Sequence, residues 1–304
     1  MPQPPADKPI GIPFIELQSV DSTNNYARRL IQGANWPDFP AGDGPETGQK
    51  VQSLHGTAIF SHEQVAGRGQ RGKTWKSEKN ANIILSIVIN PGSLPYEHGQ
   101  FSGQFHLSAT VATALHEFFE KYAGDPTAIK WPNDLFWQDR KAGGILIESG
   151  ISSNQTEPQS PGKPVSHLSG NSKNEQEKID PVVSGWNWAI IGIGININQT
   201  RFPPDILNAV SLKQITGKDF STIELAREIC QALDKKIILL KKEGFKGIYE
   251  YYLEHLYKKN MKMRFKNGSR VFDATVKGVS ETGKLIVQHS IEEEFDFGTI
   301  EWIP

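Results

Sequence analysis

Gly67-Arg68-Gly69-Gln70-Arg71-Gly72-Lys73-Thr74 leads past Trp75 into Asn82-Ile83-Ile84-Leu85-Ser86-Ile87-Val88-Ile89, and the second run decides how the first is read. By its letters the loop matches both the G-x-x-x-x-G-K-T of nucleotide P-loops and the G-x-G-x-x-G of dinucleotide sites. Each of those needs a helix to begin at the loop, so that its unpaired amides and its dipole meet the phosphates. Here a β-branched run closed by Asn90-Pro91-Gly92 follows instead, which reads as a strand. The acidic residue that dinucleotide sites place about 20 positions on is also missing. What remains is the chemistry of the letters. Three glycines let the backbone fold closely round a ligand, and Arg68, Arg71 and Lys73 supply positive charge, so the loop suits an anion. A solvated hairpin loop would account for the same residues.

Outward from this loop the chain reads as an α+β body followed by a small β-barrel. Residues 1–13 read as a flexible leader, and Asp21-Ser22-Thr23-Asn24 opens a short helix to about Ile31, with Ser22 or Asp21 as its cap. Gly33 to Gly56 reads as a loop and Thr57 to Ser61 as a strand. From Phe105, apolar residues recur at helical spacing through Leu107, Val111, Leu115, Phe118, Phe119 and Tyr122 up to Gly124. Strands are expected at Ala128 to Trp131, Lys141 to Glu148 and Trp188 to Asn198. Between the last two, residues 151–185 are rich in Ser, Asn, Gln, Pro and Gly and hold too little apolar surface to repay ordering, so a disordered hairpin insertion is expected. Ser221-x-x-Glu224 marks the start of a long helix closed by Gly244, and a second helix covers Ile248 to Tyr257. The period then shifts towards two, at Met261 to Phe265, Val271 to Val279, Lys284 to Gln288 and Glu294 to Trp302, with turns at Asn267-Gly268 and Thr282-Gly283. The expected division is a body over 14–257 and a barrel over 258–304.

The chain has 304 residues, with 33 Lys+Arg against 34 Asp+Glu, so no global field draws nucleic acid and anion binding must be local. The single cysteine, Cys230, excludes a disulfide framework and a cysteine-based metal cluster, which fits a reducing compartment. The Pro-rich start lacks the apolar core of a secretory signal, and no run approaches the ~18 apolar residues of a membrane span. A cytoplasmic protein with no membrane partner is expected.

Two further constellations carry chemistry. In Lys130-Trp131-Pro132-Asn133-Asp134 the proline and the Asn-Asp pair force a turn out of a strand and expose polar groups at its end. Asp139-Arg140-Lys141-Ala142-Gly143-Gly144-Ile145-Leu146-Ile147-Glu148 follows, with Lys141 opening a strand whose glycines leave a side-chain-free surface. Gly192-Ile193-Gly194-Ile195-Asn196 places two glycines in a strand ahead of an amide able to read a purine edge, although a bulged core strand fits the same letters.

Taken in order, these motifs, with Asp21-Ser22-Thr23-Asn24, Gln64 and Trp75, resemble those of the biotin protein ligases, which attach biotin to the carrier domain of biotin-dependent carboxylases. The resemblance implies a mixed sheet flanked by helices, a class II synthetase-like body, with an SH3-like barrel after it. It implies the use of ATP to form biotinyl-5′-AMP and diphosphate, then transfer of biotin to a carrier lysine. Ser22, Thr23, Asn24, Gln64, Gly67, Arg68 and Gly144 would bind biotin. Gly69, Gln70, Arg71, Gly72, Trp75, Lys141 and Asn196 would hold ATP and the adenylate, Trp75 by stacking and Asn196 by its amide. Lys141 and Arg68 would offset the repulsion between carboxylate and phosphate, Asn133 and Asp134 would lie near the acyl-transfer point, and Asp134 is the candidate to meet Mg²⁺. Some members carry an N-terminal helix-turn-helix; residues 1–13 leave no room for one, so the enzyme-only form with no nucleic-acid partner is expected. A homodimer stays among the arrangements the resemblance allows.

The sequence departs from the family pattern at Gln70, where many members have arginine, and in the length of 151–185. Met261-Lys262-Met263 repeats the tripeptide in which carrier domains present their lysine, but the helix before it makes it the first barrel strand. Other readings are a lipoate or octanoate protein ligase, which would lack the K-W-P-N-D and D-R-K-x-x-G pair, and a biotin- or nucleotide-binding module that never transfers.

Overall fold

The computed structural model describes residues 8–32, 54–94, 103–151, 186–204, 206 and 208–303. The loop expected from Gly33 lies outside them as far as 53, and the insertion expected at 151–185 lies outside them from 152 on.

The body is built on a seven-stranded sheet. Its strands in chain order are β1 (Phe14–Leu17), β2 (Ala58–Ser61), β3 (Asn82–Ile89), β4 (Thr127–Lys130), β5 (Asp134–Trp137), β6 (Arg140–Ile151) and β7 (Trp186–Asn196). In space the order is β1-β2-β3-β7-β6-β5-β4, with β1 and β2 parallel and the remaining pairs antiparallel. The glycine loop holds only a single 3-10 turn at Gln70–Gly72 and the strand after it is β3, so no α-helix begins there and both phosphate-loop readings fall away. β5 has no counterpart among the strands expected from the sequence, because Asn133-Asp134 reads as turn residues. In fact Trp131-Pro132-Asn133 makes the turn, and Asp134 already pairs with Lys130.

Alternation along the strands assigns the two faces. Ile83, Leu85, Ile87, Ile191, Ile193 and Ile195 belong to the large core under α2 (Gly103–Ala123) and α4 (Thr222–Glu243). Val88 and Ile190 turn to the other face and pack with Tyr26, Ala27 and Leu30 of α1 (Thr23–Ile31). A short α3 (Leu212–Thr216), unread in the sequence, carries a full Ser211/Gln214 capping box, and α5 (Lys246–Glu254) leads towards the barrel. Of the leader expected over 1–13, residues 1–7 lie outside the described residues; Ile10 is buried, and its amide donates to Asp234 Oδ1 at 2.9 Å.

The C-terminal sheet has five antiparallel strands, β8 (Lys262–Asn267), β9 (Arg270–Val279), β10 (Leu285–Gln288), β11 (Glu292–Phe295) and β12 (Glu301–Ile303). The run read as one strand from Glu294 to Trp302 is two. The chain leaves β11 at one edge and returns as β12 against β8 at the other, so residues 296–300 form a connecting loop. Trp131 Nε1 donates to Gly283 O at 2.9 Å, tying the β4–β5 turn to this sheet.

Candidate functional site

The backbone register places the separate motifs in one row across the sheet. Ile84 pairs with Gly194, Gly194 with Gly144, Gly144 with Asp134, and Asp134 with Lys130. Paired residues share a face, so five strands contribute to a single line of side chains on the α1 side. Two of the five are glycines, and their missing side chains are filled by neighbours. A Cβ on Gly194 would lie 2.7 Å from Trp75 Cε2, and one on Gly144 would lie 3.0 Å from Asp134 Oδ1. In the adjacent row Ser86 pairs with Gly192, and a Cβ there would meet Asn24 Oδ1 at 2.5 Å.

At the α1 end a hydrogen-bonded network holds the floor. Ser22 caps α1 by position but makes no side-chain cap bond. Gln64 supplies that bond instead, its Oε1 accepting from Thr23 N at 2.9 Å and from Thr23 Oγ1 at 3.3 Å. Ser86, the lone polar side chain of a strand of isoleucines, leucine and valine after Asn82, lies 2.7 Å from Thr23 Oγ1 and 2.6 Å from Asn24 Oδ1. Asn24 then donates to Glu148 Oε2 at 2.8 Å. Glu148 also takes Arg28 at 2.8 Å and Arg68 at 3.1 Å.

The glycine loop folds back on itself rather than into a helix. Gly69 N donates to Lys73 O, Trp75 N to Gly67 O, and Arg71 (φ 54°) and Gly72 (φ 76°) both take the left-handed conformation that reverses the chain. Gly67 has no room for a side chain, since its Cβ would run into Trp75 O. Gln70 Nε2 donates to Ile145 O at 3.2 Å, pinning the loop to β6.

Loop, floor and barrel together enclose a cleft of about 690 Å³. Phe297, Gly298, Ile300, Glu301 and Trp302 form its barrel wall. Among the described residues, the cations facing it are Arg68, Arg71, Lys73, Lys130 and Lys141, against the carboxylates of Asp134 and Glu301. Lys141 Nζ lies 2.7 Å from Asp134 Oδ1. Lys130 Nζ sits over the rings of Phe136, Trp302 and Tyr257, at 4.6, 5.3 and 5.5 Å from their centres. Burial lowers its pKa, and Lys141 and Lys73 add to that against the opposing pull of Asp134. Two buried polar atoms of cleft residues, Asn133 Oδ1 and Trp75 Nε1, have no hydrogen-bond partner among the described residues.

Of the residues named from the sequence, Thr23, Gln64, Arg68, Gly69, Gln70, Arg71, Trp75, Asn133, Asp134, Lys141 and Gly144 line the cleft. Ser22, Asn24, Gly67, Gly72 and Asn196 do not. Ser22 and Asn24 are buried beneath it, Asn24 filling the space over Gly192. Asn196 is buried too, and its Nδ2 donates to Val210 O at 3.2 Å and Lys141 O at 3.4 Å, which braces the start of β6. Arg68 lines the cleft while its guanidinium lies 3.1 Å from Glu148, which it shares with Arg28, and donates to Asn25 Oδ1 at 3.0 Å. Residues given no role from the sequence are Lys130, Glu148, Ser86 and the barrel wall. A lone serine in an apolar strand was a signal for Ser86, whereas the barrel wall left none.

Residues 49–157 match the biotin/lipoate A/B protein ligase family. The bifunctional ligase/repressor BirA of Bacillus subtilis is 29% identical over 239 residues, 77% of this chain and 62% of that protein. The biotin–[acetyl-CoA-carboxylase] ligase of Paracoccus denitrificans is 32% identical over 136 residues, 44% of this chain and 45% of the relative. This chain thus spans less than two thirds of either relative. Among solved structures, the biotin protein ligase of Aquifex aeolicus in complex with biotin and ATP superposes with a TM-score of 0.65 at 22% identity, covering 95% of this chain and 97% of that one. The likeness read from the motifs is borne out, and the mixed sheet with its C-terminal antiparallel sheet is the fold of the biotin protein ligases.

Proposed function

We propose that this chain is an ATP-dependent biotin–protein ligase, which forms biotinyl-5′-AMP and passes the biotinyl group to a lysine of a carboxylase carrier domain. The observation that carries this reading is the polarity of the cleft: cations gathered round Lys130 and Lys141 at one end of a glycine-floored row, and the neutral Thr23–Gln64 pair at the other. Biotin has the matching polarity, a neutral ureido ring system and apolar tail ending in a carboxylate.

In the first step a biotin carboxylate oxygen bonds to the α-phosphorus as the bond to the β-bridging oxygen breaks and diphosphate leaves. Bringing two anions together is the obstacle, and fixed cations remove it without reorganising. Lys141 is held for this by Asp134, Lys130 is half-buried beside it, and Arg71 and Lys73 reach the cleft from the loop. Arg68 acts differently, clamping the loop to α1 and Glu148. Trp75 lies against the glycine floor and offers a ring face and an unpaired Nε1–H. In the second step the carrier amine attacks the acyl carbon, AMP leaves and the amine loses a proton. Asn133 Oδ1, buried and unpaired, is an acceptor suited to orient that amine.

Mg²⁺ usually arrives on substrate phosphates and asks the protein for one or two carboxylates. The cleft fits that demand with Asp134 and Glu301, though Asp134 is shared with Lys141. When bound the ion would supply further neutralisation of phosphate charge.

The test is diphosphate–ATP exchange with biotin or lipoate as the acid, followed by transfer to a purified carrier domain. Exchange with biotin alone, then carrier labelling, is expected. Exchange with lipoate only would make the chain a lipoate ligase, and adenylate formation without transfer would reduce it to the first step.

A further inference from the structure

We infer that His116, Glu120 and His255 form a binding site for a divalent transition-metal ion of the zinc type, outside the ligase cleft. His116 and Glu120 stand four residues apart on α2 and so share a face, and His255 caps the end of α5. One ligating atom from each lies within 4.8 Å of the others.

Hydrogen bonding presents both imidazoles as ligands. His116 Nε2 lies 3.1 Å from Thr127 O, and a carbonyl only accepts, so Nε2 carries the hydrogen and Nδ1 keeps its lone pair. That Nδ1 lies 3.9 Å from Glu120 Oε2. His255 Nδ1 lies 2.9 Å from Tyr251 O and carries its hydrogen for the same reason, leaving Nε2 as the electron-pair donor. Donating one ring N–H to a backbone carbonyl is how metal sites fix the tautomer and orientation of a histidine ligand. Two imidazoles and one carboxylate suit zinc and its neighbours, while magnesium and calcium call for oxygen alone.

A tetrahedral ion with bonds of about 2.0–2.1 Å wants its ligands about 3.3 Å apart, so the site must contract. The Glu120 side chain, 33% exposed, is the one able to swing inwards. Tyr251 OH, 3.0 Å from His116 Nδ1, occupies that lone pair in the metal-free arrangement and would yield it or become the fourth ligand. The ion would join α2 to the end of α5 where Ile129 N donates to His255 O and Tyr257 N to Ile129 O, next to Lys130 of the cleft.

The competing explanation is a purely structural cluster, in which the Tyr251 hydroxyl and ring stacking satisfy His116. To separate them, the full chain is stripped of metal and titrated with Zn²⁺ by calorimetry and with Co²⁺ by visible absorption, with Mg²⁺ as a competitor. Glu120→Gln and His255→Gln are compared after confirming that their metal-free melting matches that of the parent. The expected result is one Zn²⁺ per chain, tetrahedral Co²⁺ bands, no competition from Mg²⁺, and at least about 100-fold weaker binding in each variant, since even partners of a ligand are worth about 10–100-fold. Should His255→Gln fold poorly, Glu120→Gln decides alone, because it changes only a partly exposed carboxylate. Binding that is absent, displaced by Mg²⁺, or the same in parent and variant would overturn the site.

Discussion

Lys141 Nζ lies 2.7 Å from Asp134 Oδ1, and the two side chains meet over Gly144, where a Cβ would stand 3.0 Å from that oxygen and 3.3 Å from that nitrogen. The ammonium is therefore aimed rather than merely solvated. Its side chain is 38% exposed, so the ion pair contributes at most about 1 kcal/mol to folding. A fixed charge facing a transition state with growing repulsion is worth several kcal/mol. Lys141→Ala should accordingly lower biotin-dependent diphosphate exchange by about 100-fold or more and leave the melting temperature within a few degrees. Exchange that survives in a well-folded mutant would remove Lys141 from the chemistry.

Trp75 owes its position to Gly194, where even a Cβ would come within 2.8 Å of both Cε2 and Cζ2 of the indole. Gly194→Val must push the ring away, while the strand itself accepts valine readily. The expected outcome is a raised KM for ATP with a smaller change in the KM for biotin, accompanied by altered tryptophan fluorescence. Equal changes in both constants would mean that the ring serves the whole cleft and not the nucleotide.

Gln70 donates to Ile145 O, the same carbonyl that takes Asn133 Nδ2, so the loop tip is fastened to β6 by a neutral bond. A guanidinium there would offer the adenylate phosphate a charge-assisted bond, a gain of about 1 kcal/mol or roughly fivefold in residence. Gln70→Arg is predicted to slow release of preformed adenylate and reduce labelling of bystander lysines, with first-turnover synthesis little changed. Single-turnover decay in the two proteins makes the comparison, and equal decay would show that the tip does not close on the adenylate.

Asp21 links α1 to the loop, because it takes Asn25 Nδ2 at 2.9 Å while Asn25 Oδ1 accepts from Arg68. Burial raises its pKa, but hydrogen bonds from Arg29 and Asn25 outweigh burial and hold the carboxyl at about 2 against 3.8. A depressed carboxyl stabilises the fold fully above its unfolded pKa and loses that contribution as the pH falls through about 2. With Asp21 and Arg29 39% and 41% exposed, screening limits the effect to about 1 kcal/mol. Asp21→Asn should thus be less stable than the parent from pH 7 to 5, with the gap narrowing to about half by pH 3. A gap in urea unfolding that stays constant over that range would assign the loss to shape and not charge.

What the sequence determined by itself was local. The β-branched run of Asn82–Ile89 closed by Asn90-Pro91-Gly92 made a strand where two phosphate motifs needed a helix, helical spacing marked α2 and α4, and the order of K-W-P-N-D, Lys141-x-Gly-Gly and Gly192-Ile-Gly pointed to the family. Only the tertiary structure decided which of those residues share a surface. Register across five strands aligned Ile84, Gly194, Gly144, Asp134 and Lys130, whose neighbours along the chain say nothing of the pairing. It chose the partners of the Asn196 and Asn24 amides, since a buried amide goes to whatever backbone or side chain lies nearest in space. It also set Arg68 against Glu148, 80 positions on, and brought a barrel loop round to close the cleft. Side-chain period depends on φ and ψ and is written in a few consecutive residues, whereas a charge's partner is settled by packing between segments far apart in the chain.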